Sequence, residues 1–341
     1  MKSKIIFTAL VFYKTLLDPS YTWSLEKSVR IHGAGISGLM SALCLVKEGY
    51  TVYLHDKRAK DELFKRGQYY INLKENAVEF FKNWNILEEF ENYPGIDTIK
   101  EHIISGHPGN HQRSKYSTSI ATIQKFLYDQ LEKKEYSNKF IHKKTFTKFE
   151  YIKLDETVDF QIWAGGARSL PNDITKILHT KNKQDEIWQF TVTDFNILDN
   201  KLYTYIYTDR EKDENYIYHL GDRKTSIAKR ITIDQYDRKN KLQVKIINSY
   251  ASKFYDKDKK ILFIGDSIVA STPRMGMGAT LSLTKYPRAV MQFAKNLDIK
   301  TEDKNYNDFS SIILECINDW LIQGNRIFNL GLNEDEIIYS N

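Results

Sequence analysis

The sequence predicts an α/β fold in which an inserted antiparallel sheet interrupts a parallel one. A short apolar strand at 29–32 precedes a glycine-rich turn, a helical stretch and a second strand, which is the order of a parallel βαβ unit. From residue 186 to about 250, apolar and polar residues alternate, as is typical of antiparallel strands. Apolar residues at helical spacing between 309 and 321 predict a C-terminal amphipathic helix.

Length and composition narrow the class of protein. At 341 residues and 41% hydrophobic, the chain can bury more than one minimal core, so two intertwined domains are expected. Its 50 basic and 44 acidic residues are interspersed, and this charge pattern predicts no nucleic-acid partner. Cys44 and Cys316 lie far apart, which excludes a disulfide framework and favours a reducing, cytoplasmic location. No segment after the N-terminus approaches the ~18 apolar residues of a membrane span.

The first 27 residues have a superficial likeness to a signal peptide. Lys2 and Lys4 precede an apolar run at 5–13, but Lys14 interrupts that run and no small-residue cleavage site follows. An amphipathic helical extension over residues 1–27 is therefore favoured. A targeting role for this segment stays open as the alternative.

The glycines after residue 32 have separate mechanical roles. Gly33 permits a tight turn out of the strand, Gly35 lets a diphosphate approach the backbone, and Gly38 lets the helix pack closely on the strand. The predicted helix, 37–48, points its N-terminal amides at the phosphates. These features predict a Rossmann-like dinucleotide site. The residues expected to contact the dinucleotide in this turn are Gly33, Ala34, Gly35, Ile36, Ser37 and Gly38.

An acidic residue follows the second predicted strand, 51–55. Asp56 stands 23 residues after Gly33, where its carboxylate can accept both ribose hydroxyls of a dinucleotide. Three basic residues nearby are candidates for the phosphates or for a reaction cleft, namely Lys57, Arg58 and Arg66. This unit alone does not separate NAD from FAD.

A second glycine motif, far along the chain, bears on the choice of cofactor. An apolar strand at 261–264 is followed by Gly265, Asp266, Pro273, Gly276, Met277 and Gly278. The spacing resembles the G-D-x-x-H-x-x-x-P-x-x-G-x-G segment of the flavin hydroxylases of the p-hydroxybenzoate hydroxylase type. The resemblance implies FAD, with the aspartate on a ribityl hydroxyl and the glycine turn at the flavin N1–C2 carbonyl. A helix N-terminus at that place would stabilise the anion of a reduced flavin.

The resemblance covers residues 29–296. Segment 66–78 looks like the family's glycine-led strand and following helix, and 64–66 with 119–124 look somewhat like the MICAL monooxygenases. Arg66 and Pro273 are the candidates for catalysis, in a site where the flavin carries the chemistry. The expected domains are an FAD-binding domain at 28–180 and 258–297, an inserted β-sheet substrate domain at 181–257, and a C-terminal helical segment at 298–341.

Several positions depart from the family pattern. Gly165 stands where the family has an aspartate that serves FAD and NADPH binding, so the resemblance puts ordinary NADPH reduction in doubt. Ala121 replaces an arginine that faces the flavin, and Val269 replaces the histidine after Gly265-Asp266. Pro287 is expected to kink the helix that follows Gly278. FAD binding is expected to survive these changes, whereas reduction is expected to differ.

The alternating region indicates where a substrate would lie. In the resembling family such a sheet covers the flavin and forms one wall of the substrate pocket, which implies an apolar or aromatic small-molecule substrate. Tyrosines 203, 205 and 207 are interpreted first as packing or surface residues and second as pocket lining. His32 and His55, at the strand ends, are interpreted as structural or cofactor-edge residues. No metal site is expected, since Pro108 lies between His107 and His111.

Three functions remain in competition. The first is an FAD-dependent monooxygenase acting through a flavin C4a-hydroperoxide, with NADH or NADPH as electron donor. The second is an FAD-dependent oxidoreductase that transfers hydride without oxygenation, motivated by Gly165, Ala121 and Val269. The third is a catalytically idle FAD-binding protein that acts by interaction. A separate flavin or NAD(P)H reductase is a further expected partner, and the substrate and oligomeric state are left open.

Overall fold

The fold is described from a computed structural model of the chain. The structure describes residues 26–68, 70–98, 114–145, 147–167, 169–177, 186–194, 204–207, 215–220, 224–231, 233–235, 237, 243–246, 249–270 and 278–328. The predicted helical extension at 1–27 lies outside these residues, apart from its last two. Within the described ranges, no helix is long and apolar enough to cross a membrane.

A six-stranded sheet forms the centre of the molecule, in the order β15-β16-β7-β1-β2-β6. Its strands are β1 (Ser28–His32), β2 (Thr51–Asp56), β6 (Phe140–Lys144), β7 (Phe160–Trp163), β15 (Tyr255–Asp256) and β16 (Ile261–Phe263). The pairings β1–β2, β1–β7, β2–β6 and β7–β16 are all parallel, and the edge strand β15 pairs antiparallel with β16. This sheet confirms the predicted α/β class.

Helix α1 (Ile36–Lys47) connects β1 to β2 and is buried on nearly all sides. Its residues from Ile36 to Val46 are all buried, because α1 contacts the sheet on one side and, on the others, the helices at Ile120–Leu131, Gly278–Leu283 and Lys285–Asn296. A helix enclosed in this way has apolar residues around its whole circumference. The predicted inward stripe of Leu39, Leu43 and Val46 is therefore buried, as expected, but it is only part of the buried surface.

A small antiparallel sheet, ordered β3-β5-β4, packs beside the glycine-rich turn. It consists of β3 (Tyr70–Lys74), β4 (Ile96–Thr98) and β5 (Ser114–Ser119), and short helices α2 (Lys60–Leu63), α3 (Glu79–Asn83) and α4 (Leu87–Glu91) flank it. Helix α5 (Ile120–Leu131) begins where β5 ends. An aromatic cluster joins these elements: the ring of Phe90 lies 5.5 Å from that of Tyr116 and 5.2 Å from that of Phe126.

A five-stranded antiparallel sheet, ordered β10-β11-β12-β9-β13, occupies the region of alternating residues. Its strands are β9 (Glu186–Asp194), β10 (Thr204–Tyr207), β11 (Asn215–Leu220), β12 (Lys224–Ile231) and β13 (Gln243–Ile246). Trp188, Phe190 and Val192 lie in β9, which pairs antiparallel with β12, so the antiparallel strand predicted for these residues is present. Strand β11 contacts β3 and β5, which places this sheet against the smaller one.

A second three-stranded sheet, β17-β14-β8, links the two halves of the chain. Strand β8 (Thr175–Ile177) leads toward the five-stranded sheet, β14 (Ser249–Ala251) returns from it, and β17 (Val269–Ala270) follows the second glycine motif. Both neighbours pair antiparallel with β14. Hydrogen bonding between β8 and β14 therefore holds the segment that leaves the parallel sheet next to the segment that returns to it.

Three helices close the fold: α6 (Gly278–Leu283), α7 (Lys285–Asn296) and α8 (Glu302–Phe328). The helix is interrupted at Thr284, and Pro287 lies in the first turn of α7, where a missing amide hydrogen does no harm. The predicted kink is thus a break just before the proline. Phe293 of α7 packs against Phe160 of the parallel sheet and against Phe309 of α8, at ring separations of 5.3 and 6.1 Å.

We expect Phe126→Ala to destabilise the protein strongly. Phe126 is fully buried, and its ring contacts those of Phe81, Phe90 and Tyr93. Deleting such a side chain leaves a cavity and lowers the free energy of unfolding by about 3 to 5 kcal/mol. Urea denaturation measures the change. Tyr151→Ala is the control, because Tyr151 is 71% exposed and its loss is expected to cost no more than about 0.5 kcal/mol.

Candidate functional site

The turn between β1 and α1 admits no side chain at two of its glycines. A Cβ atom on Gly33, whose φ is +112°, would lie 2.2 Å from the carbonyl oxygen of Ala164. A Cβ atom on Gly38 would lie 2.0 Å from the carbonyl oxygen of Gly33. These are the tight turn and the close helix packing that the sequence predicted for these two positions.

Gly35 differs from its neighbours because it faces open space. A Cβ atom there would meet no atom within 4 Å. Gly35 also caps the N-terminus of α1 without any side-chain hydrogen bond. The first amides of a helix have no partner within the helix, so this end of α1 can receive an anion such as a diphosphate.

Asp56, at the carboxyl end of β2, is buried beneath the turn. Its Oδ2 atom accepts a hydrogen bond of 2.8 Å from the backbone amide of Ala34. Its Oδ1 atom accepts one of 2.8 Å from Nε of Arg58. Burial raises the pKa of Asp56, but the hydrogen bonds and charge of Arg58 and the Ala34 amide outweigh burial and hold that pKa below its ordinary value. Asp56 is therefore ionised at neutral pH.

The two glycine motifs, distant in sequence, meet at the end of β16. Gly265 opens a 3₁₀ turn, Gly265–Ser267, with a φ of +71°, and a Cβ atom on it would lie 2.6 Å from Oγ of Ser37. Ser37 in turn donates a buried hydrogen bond of 2.7 Å to Oγ of Ser282 in α6. The first turn of α1, the 265–267 turn and α6 thus form one contiguous structure.

Asp266 lies in this second turn and points to solvent. Its side chain is exposed, yet protein surrounds it closely enough that desolvation raises its pKa to about 6. Within the described residues, Asp266 makes no hydrogen bond or ion pair, so it is available to a ligand hydroxyl.

Helix α5 supplies a contact that the sequence did not predict. Nε2 of Gln124 donates a buried hydrogen bond of 2.9 Å to the carbonyl oxygen of Ala34 in the glycine turn. The amide of Ala121, at the start of α5, donates to the carbonyl oxygen of Gly67 over 2.9 Å. The neighbouring Arg66 is exposed beside this junction. A glutamine on the apolar face of an amphipathic helix was the only signal for Gln124.

At the Gly165 position, the structure leaves no space for a side chain. A Cβ atom there would lie 2.7 Å from the indole ring of Trp163 and 2.9 Å from Oγ of Ser169. The indole is held in place, since its Nε1 donates a 2.8 Å hydrogen bond to that same hydroxyl oxygen. The other two departures, Ala121 and Val269, are buried.

His32 and His55 lie side by side at the ends of β1 and β2, with ring centroids 5.7 Å apart. Nε2 of His32 forms a 3.1 Å hydrogen bond with Oε1 of Gln161. Burial lowers the pKa of His32, and burial together with the charge of His32 and Arg30 lowers the pKa of His55 to about 4. Both rings are therefore neutral at neutral pH.

Of the other predicted cofactor-binding residues, the structure describes some and not others. Lys57 is exposed next to Asp56, and Gly278 begins α6. Pro273, Gly276 and Met277 lie outside the described residues. Over the part of the chain that the structure describes, no three or more histidine, cysteine, aspartate or glutamate side chains are grouped to hold a metal ion.

Comparison with known proteins identifies the fold. No family model and no curated protein matches the sequence. The structure of the flavin-dependent brominase Bmp2 matches with a TM-score of 0.67 and 12% identity, over 89% of this chain and 88% of that chain. The peptidyl tryptophan dihydroxylase QhpG matches with a TM-score of 0.66 and 11% identity, over 91% of this chain and 76% of that chain. PqsL, a probable FAD-dependent monooxygenase from Pseudomonas aeruginosa, matches with a TM-score of 0.62 and 12% identity, over 91% and 97%.

The chain therefore has the fold of the FAD-dependent monooxygenases, which confirms the fold-level resemblance found in the sequence. The likeness extends over 89% to 91% of this chain.

We expect Gly38→Ala to destabilise the protein and Gly35→Ala to leave it stable. Alanine usually stabilises a helix by about 1 kcal/mol relative to glycine. A lower stability of Gly38→Ala would therefore be caused by the clash of the new methyl group with the Gly33 carbonyl. That clash is expected to lower the free energy of unfolding by about 1 to 3 kcal/mol. Chemical denaturation of both variants checks this. Equal stabilities would contradict the close packing at Gly38.

Proposed function

We propose that the chain is an FAD-dependent monooxygenase that inserts one oxygen atom into an apolar or aromatic small molecule or side chain. The observation that carries the proposal is the contact of Gly265 with Ser37, which brings the two separate cofactor motifs together in one place. The matching structures, whose names include brominase, dihydroxylase and monooxygenase, support this class of chemistry. When bound, FAD would supply the redox chemistry that activates molecular oxygen, of which one atom enters the substrate and the other leaves as water.

The residues of the site fit FAD. The open space at Gly35 and the uncapped N-terminus of α1 suit the diphosphate, and the ionised Asp56 suits the adenosine ribose. The available carboxylate of Asp266 suits a ribityl hydroxyl. Ser37, Gln124 and Ser282 would hold these groups in place through their buried hydrogen bonds. We extend the proposal to the remaining cofactor-contacting residues, which are Gly33, Ala34, Ile36, Gly38, Lys57, Arg66, Gly265, Pro273, Gly276, Met277 and Gly278. Arg58, the other basic candidate, is bound to Asp56 in this structure.

The five-stranded sheet is proposed as the substrate wall, within an inserted domain at 181–257. The contact of β11 with β3 and β5 supports this, because β5 leads into α5, whose Gln124 is hydrogen-bonded to the glycine turn. The FAD-binding domain would comprise 28–180 and 258–297, with 298–341 as the C-terminal segment. The proposed location is cytoplasmic, as the cysteine usage suggests.

The source of electrons is proposed to be a separate flavin or NAD(P)H reductase, with direct reduction by NADH or NADPH as the alternative. Support comes from Gly165, where the indole of Trp163 fills the space that a longer side chain would need. The family's aspartate at this position serves NADPH binding, and this chain has no room for it. The same observation favours the second candidate function, hydride transfer without oxygenation.

Isotope labelling tests the proposed reaction. The purified chain, loaded with FAD and supplied with a reductase and NADH, is expected to transfer labelled oxygen from ¹⁸O₂ to candidate aromatic compounds, detected by mass spectrometry. Gly35→Ala is the matched control, because its added methyl group would enter the diphosphate space without disturbing the fold. Turnover without label would favour hydride transfer. If the bound FAD stays oxidised with every electron donor, the result would favour a catalytically idle FAD-binding protein that acts by interaction.

FAD affinity is expected to fall as the pH drops below about 6, which is the pKa of Asp266 without ligand. Hydrogen-bond donors on the ribityl chain stabilise the carboxylate, so protonation competes with binding. Affinity should be constant above that pKa and decrease by up to about tenfold per pH unit below it. Quenching of flavin fluorescence measures this.

The variant Asp266→Asn should bind FAD with little pH dependence in this range. Asp258→Asn, which alters an exposed carboxylate of the β15–β16 turn, should keep the profile of the native protein. An unchanged profile in Asp266→Asn would show that another group titrates.

A further inference from the structure

The carboxylate of Asp56 is fully occupied by protein donors. Its Oδ2 atom accepts hydrogen bonds from the Ala34 amide at 2.8 Å and from Nη2 of Arg58 at 3.1 Å. Its Oδ1 atom accepts from the Arg58 amide at 2.9 Å and from Nε of Arg58 at 2.8 Å. An ionised carboxylate offers about four lone-pair positions in total. No acceptor position therefore remains for the ribose hydroxyls that Asp56 is proposed to bind.

The four donors differ in how easily they can leave. The amides of Ala34 and Arg58 belong to the backbone at the ends of β1 and β2, and the Ala34 bond is buried. The Arg58 guanidinium is at the end of a flexible side chain that is 23% exposed. Its other nitrogen, Nη1, is 3.4 Å from the carbonyl oxygen of Leu63, which makes a weak hydrogen bond at best. The guanidinium is therefore the donor that can move without changing the backbone.

We propose that Arg58 determines cofactor affinity by competing with the adenosine ribose for Asp56, and that its guanidinium moves aside when the ribose binds. The inference rests on the proposed FAD site and concerns its adenosine end. The two guanidinium nitrogens, Nε and Nη2, bind one oxygen each, as two adjacent ribose hydroxyls would.

The competition has a physical reason. A buried carboxylate without partners is costly, and Arg58 satisfies Asp56 whenever the ribose is absent. The ribose must then replace hydrogen bonds in which donor and acceptor are both charged with hydrogen bonds from neutral hydroxyls, in which only the carboxylate is charged and which are weaker. Part of the intrinsic affinity of the ribose is lost in this exchange. Arg58 thus stabilises the ligand-free site and weakens the ligand-bound one.

This role is opposite to that of a phosphate ligand, which the sequence predicted for Arg58. A phosphate ligand strengthens binding of FAD and has no effect on adenosine, which carries the ribose without phosphate. A competitor for Asp56 weakens binding of adenosine. Adenosine therefore separates the two roles.

The test compares Arg58→Met and Arg58→Lys with Lys60→Met. Methionine removes the charge, and lysine retains it but cannot contact both oxygens in a planar fork. Lys60→Met removes a positive charge from the same segment, at an exposed residue that pairs with Glu132 and not with Asp56. Calorimetric titration with adenosine and with FAD gives the dissociation constants, and thermal unfolding shows that each variant is folded.

Both Arg58 variants are expected to bind adenosine about three- to tenfold more tightly than the native protein, and Lys60→Met is expected to match the native protein. An adenosine affinity that is unchanged or weaker in both folded Arg58 variants would overturn the inference. A native protein that binds adenosine with this response to Arg58 but does not bind FAD would overturn the proposed function and leave the inference intact.

Discussion

The close approach of Gly265 to Ser37 is the constraint on which the rest of the site depends. The space between these residues is too small for a Cβ atom, so the end of β16 and the first turn of α1 are in direct contact. That contact brings together the residues that follow β1 and β16 of the parallel sheet, although the intervening chain leaves to form a five-stranded sheet and returns. Ser37 continues the connection into α6 through Ser282. A parallel sheet can bring such distant segments together because the carboxyl ends of its strands share an edge.

The site has two carboxylates in opposite electrostatic conditions. Asp56 is buried, paired with Arg58 and held ionised, whereas Asp266 has no partner among the described residues and titrates near pH 6. One group is satisfied before a ligand arrives, and the other is satisfied only by a ligand. Binding of the adenosine end would therefore depend on replacement of Arg58 as the partner of Asp56. Binding of the ribityl end would depend on deprotonation of Asp266.

The glycine positions were predictable from the sequence because each is enforced by local backbone geometry. Gly33 and Gly38 are required by a turn and a helix whose spacing the sequence itself contains. Side-chain pairing was less predictable. Arg58 was a candidate phosphate ligand, and the structure pairs it with Asp56, because a buried carboxylate selects the nearest cation and sequence spacing does not reveal that choice. The contact of Gln124 with Ala34 depends on how α5 packs, so no local pattern contained it.

The indole of Trp163 also restricts how this sequence can change. Residue 165 can become larger only after residue 163 becomes smaller, because the ring occupies the position of any Cβ atom at 165. The two positions are therefore epistatic, and the order of substitution matters. An acidic residue at 165 therefore requires a smaller residue at 163 first, and that first change loses the hydrogen bond between the indole and the Ser169 hydroxyl.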